Sequence, residues 1–281
     1  GADSRRGSED RTVKATAVAP ANIAFIKYWG KKDATLRLPW NDSISMNLSE
    51  AYTTTTVEFS KDFTRDEIEG LEGKEVARVS KHLDRLRNIK EVSIKARVET
   101  KNTFPASSGI ASSASGFAAL TLAGSTALGL ELSEKEFSIL ARLGSGSACR
   151  SIPDGFAEWK ASEDSDESYA HSLYPASHWD LRDVVVIVQT SKKNISSSEG
   201  HEAATSSPFF HARLMSLPDR IARVKKGLEE RDLGMLGPAI EEEAVNMHAV
   251  MMTQTPPLFY WTGATMDIIH AVIEWRNEGL P

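Results

Sequence analysis

The stretch that most restricts the fold is Phe104–Pro105–Ala106–Ser107–Ser108–Gly109–Ile110–Ala111–Ser112–Ser113–Ala114–Ser115–Gly116–Phe117. It is almost all small residues, and the apolar Ala118–Ala119–Leu120–Thr121–Leu122–Ala123 that follows reads as a helix. Glycine and serine let a backbone come close to a bulky anion. A helix N-terminus adds free N–H groups and the positive end of a dipole, which suits phosphate. No Gly-Lys-Ser/Thr closes the stretch, so it is not a P-loop. Taken alone, it is equally a phosphate-binding loop or a tight joint whose small residues only permit close packing.

The preceding chain is rich in strands. Val13 to Ala19 alternates and reads as a strand that Pro20 ends, and Ile23–Ala24–Phe25–Ile26 is a second short apolar piece. Ile44 to Leu48 alternates, and Thr53 to Phe59 is β-branched, which gives two further strands. Val76, Val79, Leu83 and Leu86 recur at helical spacing, so 74–88 is a helix with its charges on a solvated face. Val92 to Val98 alternates and runs as a strand into the small-residue stretch. Ser133–Glu134–Lys135–Glu136 is a capping-box signature opening a helix to about Leu143. A second small-residue loop, Gly144–Ser145–Gly146–Ser147–Ala148–Cys149–Arg150–Ser151, follows, and then an extended Phe156–Trp159. Glu163 to Glu167 is an exposed acidic turn. Val184–Val185–Val186–Ile187–Val188 reads as the most buried strand of the chain. Helices are expected from Pro208 to about Gly227, from Leu233 to His248, and around Met266 to Ile273. The mixture is α+β without regular βαβ alternation. The change in character near Leu181 marks a domain boundary. The domains expected are 13–181 and 182–281, the second incomplete, after a disordered tail or expression remnant over 1–12.

Length and charge exclude several classes. The 281 residues suffice for one or two domains. A net charge of −6 argues against broad nucleic-acid binding. The single Cys149 excludes an intrachain disulfide framework and a cysteine metal site, and is consistent with a cytoplasmic setting. No apolar run approaches a membrane span, and the first ten residues lack a signal-peptide core. The seven histidines show no metal-binding spacing, and there is no GxSxG elbow.

Three small-residue loops therefore stand out, at 104–116, 144–151 and 194–200, beside the cationic aromatic element 27–32. Phosphate sites need N–H donors, hydroxyls and fixed cations together. Arg150 is the sharpest candidate, because a guanidinium in a glycine–serine loop can fork onto a carboxylate or phosphate. The other reading of Arg150 is a structural arginine bound to backbone carbonyls. Lys31 and Lys32 taken alone read as surface lysines, Tyr28 and Trp29 as core, and His248 as packed on its helix.

In order along the chain, Ala21–Asn22–Ile23–Ala24–Phe25–Ile26–Lys27–Tyr28–Trp29–Gly30–Lys31–Lys32–Asp33, Asn41–Asp42–Ser43–Ile44–Ser45, the 104–116 stretch and the 144–151 loop resemble four motifs of the mevalonate diphosphate decarboxylases, in the GHMP kinase superfamily. The resemblance covers residues 21 to about 160, with weaker matches to 260. It implies a ribosomal-protein-S5-like N-terminal domain, a ferredoxin-like C-terminal domain and an active site in the cleft between them. It also implies ATP and Mg²⁺ as cofactors, a cytoplasmic homodimer, and a small-molecule substrate rather than nucleic acid or membrane. The implied reaction phosphorylates the tertiary 3-hydroxyl of (R)-5-diphosphomevalonate and then releases phosphate and CO₂, giving isopentenyl diphosphate for isoprenoid synthesis. Carried over by resemblance, Ser107, Ser108, Gly109, Ser112 and Ser113 form the ATP phosphate loop, with Ser113 near Mg²⁺. Arg150 with Asn22 holds the substrate carboxylate. Tyr28, Lys31, Ser145 and Ser147 hold the 5-phosphate end, with Lys27 at the phosphoryl-transfer centre. Ser197, or a neighbour in 196–198, lies in a loop that closes over the nucleotide.

Three departures keep alternatives open. The family's catalytic aspartate sits in an Asp-Ala-Gly-Pro-type motif, and none occurs before Gly279–Leu280–Pro281, about where its strand should begin. Either the sequence stops short of that motif or the base is missing; Asp267 lies on an expected helix and does not match. Pro153–Asp154 and Gly200–His201 are also unusual for the family. The alternatives are a decarboxylase of (R)-5-phosphomevalonate, a kinase that does not decarboxylate, and an inactive binding protein.

Overall fold

The structure is a computed structural model that describes residues 13–105, 112–188 and 197–279. The chain divides into two compact units. The first contains 13–24, 32–105 and 112–181 among these residues, and the second contains Phe25–Lys31, 182–188 and 197–279.

In the first unit, a sheet runs in the order β5 (Glu67–Ile68), β6 (Lys95–Asn102), β4 (Ser43–Ser60), β7 (Phe156–Trp159), β8 (Ala170–Tyr174), and β1 (Val13–Ile26) also pairs with β4. Two short strands, β2 (Lys31–Asp33) and β3 (Leu38–Pro39), lie between β1 and β4 in sequence. The two strands expected within 44–59 are one strand of 18 residues. Each half of β4 has its own antiparallel neighbour: Ser43–Met46 face Trp159–Phe156 of β7, and Thr53–Ser60 face Asn102–Lys95 of β6. Pro20 does not end β1. Among the described strands β1 pairs only with β4, and an edge strand tolerates a proline whose missing N–H faces away from the ladder. The strand expected over 92–98 begins only at Lys95. Val92 donates its N–H to the carbonyl of Arg87, closing helix α1 (Lys74–Lys90) behind the left-handed Glu91 (φ 59°).

Helices α1, α2 (Ser112–Ala127) and α3 (Glu134–Gly144) supply the helical part of the core. Phe59, Val57 and Val98 of the sheet pack with Leu83 and Leu86 of α1 and with Phe117 and Leu120 of α2. Helix α2 starts six residues before the expected Ala118 and is buried on nearly all sides. A helix apolar all round belongs in the middle of a core. Its small residues allow the approach: a Cβ on Gly124 would lie 2.6 Å from Leu86 Cδ1. The capping box at Ser133 and Glu136 forms as expected. The charges of α1 are not all solvated, because Arg87 is buried and bonded to Asp66 (3.0 and 2.9 Å) and Asp84 (2.6 and 3.2 Å).

The second unit is built on helices α4 (Ser197–Ala203), α5 (Phe210–Glu230), α6 (Leu233–Thr253) and α7 (Gly263–Asn277). A left-handed Arg231 (φ 56°) ends α5, and Asp232 caps α6 by accepting from the N–H of Met235 at 3.2 Å. Residues 184–188 do not form the expected buried strand. They are exposed, Val184 at 84%, and no described segment makes a ladder with them. A β-branched run becomes a strand only where another strand accepts its hydrogen bonds.

Candidate active site

The 144–151 segment is not an open loop but a buried joint. Helix α3 ends at Gly144, Ser145 is extended, and Gly146–Ser151 forms a 3-10 helix. The hydroxyl of Ser138 donates to the carbonyl of Cys149 (3.2 Å) and ties the two helices together. Cys149 is fully buried, and burial pushes its thiol up to about 12.

This joint aims Arg150 at the first strands. Its guanidinium is 3% exposed and donates to Ser45 Oγ (3.1 Å), Ser43 Oγ (2.6 Å) and Asn22 Oδ1 (3.2 Å). Asn22 in turn donates through Nδ2 to Ser151 Oγ (2.8 Å) and to the carbonyl of Ser147 (3.2 Å). Arg150, Asn22 and Ser147 therefore form one hub, with Ser43 and Ser45 as members that residue-by-residue reasoning left without roles. Their place in the Asn41–Ser45 motif was the available signal. The three side-chain oxygens of Ser43, Ser45 and Asn22 hold the guanidinium of Arg150 in place.

Ser145 is 7% exposed, and its Oγ lies 3.2 Å from Ser113 Oγ in the first turn of α2. Ser112, Ser113 and Gly116 line a cavity of about 110 Å³ with Thr55, Thr100 and Arg78. The first turn of α2 contains no acidic residue. Arg78 bonds the carbonyl of Gly144 (3.3 Å), and its guanidinium is lowered from its ordinary value by burial first and by Arg37 second. Glu75 also lines the cavity and offsets part of this, and the N–H groups of the first turn of α2 beside Arg78 suit a nucleotide phosphate. Arg78 was hidden from sequence reasoning because it sits among ordinary helix charges. The described residues hold no cluster of three or more His, Cys, Asp or Glu able to bind a metal. A magnesium ion here would rely on phosphate oxygens with a hydroxyl such as Ser113. Ser107, Ser108 and Gly109 lie outside the described residues.

In the second unit, the 27–31 segment is set among helices. Lys27 donates its N–H to Glu243 Oε1 (3.2 Å) and accepts at its carbonyl from Arg213 Nη2 (3.1 Å). The Tyr28 ring lies 4.3 Å from that of His201, tilted by 35°, and His201 Nδ1 accepts from the N–H of Gly30 (3.0 Å). Trp29 is buried and donates to Gln254 Oε1 (3.2 Å). Lys31 is not a surface lysine: its side chain is 5% exposed and pairs with Glu202 at 3.4 Å. Ser197 opens α4, and its side chain lies outside the description. His248 is packed, 4.1 Å from the Trp261 ring.

Gly144 provides a test of how tightly the joint is built. A Cβ there would sit 2.3 Å from Phe117 Cδ1 and 3.0 Å from His82 Nδ1. Gly144→Ala is expected to cost about 1–3 kcal/mol by overpacking, read as a lower urea midpoint. An unchanged midpoint would show that the joint is looser than described.

Residues 19–170 match the diphosphomevalonate decarboxylase-like N-terminal domain, and residues 183–279 match the mevalonate 5-diphosphate decarboxylase C-terminal domain. The human diphosphomevalonate decarboxylase is 37% identical over 94% of this chain and 72% of its own length. The crystal structure of mevalonate diphosphate decarboxylase from Staphylococcus aureus is 37% identical, with a TM-score of 0.87 over 96% of this chain and 84% of that one. MDDEF in complex with MVAPP, AMPPCP and magnesium is 34% identical, with a TM-score of 0.89 over 96% of this chain and 85% of that one. No described helix is long and apolar enough to cross a membrane.

Proposed function

This chain belongs to the diphosphomevalonate decarboxylase family, and from that premise we propose how its own residues divide the work of the reaction. The fold is α+β, a two-domain GHMP kinase fold with a ribosomal-protein-S5-like N-terminal domain and a ferredoxin-like C-terminal domain. The activity is ATP- and Mg²⁺-dependent decarboxylation of (R)-5-diphosphomevalonate to isopentenyl diphosphate.

The chemistry sets the demands. A tertiary hydroxyl is a poor leaving group, and its phosphate ester is a good one. Departure of phosphate builds positive charge at C3, and the C1–C2 bond breaks, its electrons forming the new C2=C3 double bond as CO₂ leaves. Such a reaction is driven mainly by positioning and by electrostatics. Bound ATP supplies the phosphoryl group.

In this reading, Arg150 and Asn22 hold the carboxylate in line with the breaking bond. Tyr28, Lys31, Ser145 and Ser147 hold the diphosphate, and Lys27 supports the transferring phosphoryl group. Ser112 and Ser113, with Ser107, Ser108 and Gly109, hold the nucleotide phosphates, Ser113 facing Mg²⁺. Ser197 belongs to the segment that closes over the nucleotide. The domain division near Leu181 and a homodimer in the cytoplasm are part of the same proposal. The lone buried Cys149 agrees with a reducing compartment.

One observation carries the assignment: the 3.2 Å contact between Ser113 and Ser145, one a nucleotide candidate and the other a substrate candidate. Phosphoryl transfer requires those two ligands to be neighbours. Coupled ADP-release kinetics on the full-length enzyme test the reading with both 5-phosphorylated mevalonates. Preference for the diphosphate is expected, with Ser145→Ala raising KM for it about tenfold or more. An unchanged KM removes Ser145 from the diphosphate site.

A further inference from the structure

We infer that Glu243, Arg213 and Arg220 form a positioning triad that clamps the peptide groups of Lys27 and so aims its side chain. The inference rests on the role proposed for Lys27. Glu243 is fully buried in α6, and the side chains of Arg213 and Arg220 in α5 are 1% and 2% exposed. Arg213 Nη2 bonds Glu243 Oε1, and Arg220 Nε donates to Glu243 Oε2 at 2.9 Å. Arg220 is tied further to Ser216 Oγ (2.9 Å) and Glu242 Oε1 (3.0 Å). The two innermost members then spend a bond each on one residue. Glu243 accepts the Lys27 N–H, and Arg213 donates to the Lys27 carbonyl.

The reason lies in the backbone. Strand β1 ends at Ile26. Past that point no described ladder continues, and the part-buried N–H and C=O of Lys27 are held by side chains. Here both partners are ionised side chains, at 3.2 and 3.1 Å, rather than neighbouring backbone. Two such bonds hold the peptide groups on both sides of one Cα, and with them the direction of its Cα–Cβ bond.

A role in stability alone accounts for this arrangement poorly. Desolvating three charges offsets most of their attraction, and apolar replacements of buried ion triads are often no less stable. Burial accordingly lowers the Arg213 guanidinium from its ordinary value despite Glu243 beside it. What an apolar triad would not supply is a donor and an acceptor at Lys27.

The test is a double-mutant cycle on the full-length enzyme. Arg213→Lys keeps the charge and loses the Nη2 donor that meets both Glu243 and the Lys27 carbonyl. It is expected to lower kcat about tenfold or more, with KM for (R)-5-diphosphomevalonate within about twofold. In a Lys27→Ala background the same substitution is expected to change kcat by less than about twofold. Equal losses in both backgrounds, a loss confined to KM, or no loss would overturn the inference. The clamp itself is read apart from turnover by hydrogen exchange at the Lys27 amide. That exchange should quicken in Arg213→Lys and in Glu243→Asp, whereas unchanged exchange in a folded variant overturns it. If Lys27→Ala alone keeps wild-type kcat, it is the role of Lys27 that fails, while the exchange result still decides whether the clamp exists.

Discussion

Arg150→Ala is expected to lower kcat for (R)-5-diphosphomevalonate decarboxylation by a hundredfold or more, on the order of the loss seen when one preorganised donor is removed from an active site. The magnitude follows from preorganisation. Three side-chain oxygens, of Ser43, Ser45 and Asn22, already fix the guanidinium. It therefore pays no reorganisation when the carboxylate begins to lose its charge to C3. Truncation also strips donors from those three buried oxygens, at about 1–3 kcal/mol for each group left unsatisfied. A stability loss must be separated from a catalytic one, and Arg150→Lys does so. It keeps a cation near the carboxylate but cannot fork, so it should fold better than the alanine variant and still lose most of the turnover. Wild-type kinetics from a folded Arg150→Ala enzyme would remove the residue from the carboxylate role.

The second large effect is acid sensitivity centred on His82. Its ring is fully buried, 5.4 Å from the Phe117 ring, with Nε2 2.8 Å from Thr121 Oγ1 and Nδ1 3.4 Å from Arg85 Nη1. Arg85 can only donate, so Nδ1 accepts and the proton of the neutral ring sits on Nε2. Burial first, then Arg85 and Arg37, lower the imidazole from 6.5 to about 3. The folded state thus resists a proton that the unfolded chain accepts. The stability this contributes is fully present above pH 6.5 and is lost as pH falls from 6.5 toward 3. The full loss across that window is on the order of 5 kcal/mol, comparable to the net stability of a domain. His82→Gln keeps an N–H for Thr121 and cannot titrate. Wild-type melting temperature should fall faster than that of His82→Gln between pH 6.5 and 4. Parallel slopes for the two proteins would place the acid-labile group elsewhere.

Local features were legible in the sequence. The Ser133 capping box, the helical spacing of Val79 and Leu83 and the alternation of Val57 and Phe59 each depend on neighbours within one element. What could not be read depended on distant partners. Strand β4 looked like two strands because its halves pair with β7 and β6, whose residues lie elsewhere in the chain. Residues 184–188 have the composition of a buried strand and no described partner to make them one. The charges of α1 looked solvated, yet Arg87 meets Asp66, 21 positions earlier. The candidate site followed the same division. Arg150 stood out by residue type and loop context, Asn22 and Ser147 by the family resemblance, and the structure brings them into one hub. Arg78 and the Glu243 triad carried no local signal: the Lys27 N–H finds its acceptor 216 positions away.

The most direct test of the account is the stoichiometry of products when the full-length enzyme is given ATP, Mg²⁺ and (R)-5-diphosphomevalonate labelled at the carboxyl carbon. One labelled CO₂, one ADP and one inorganic phosphate per isopentenyl diphosphate formed is the expected result. ADP accumulating without CO₂, beside a stable 3-phosphorylated product, would mean a kinase, and the account of Arg150 as the carboxylate's partner in decarboxylation would be wrong.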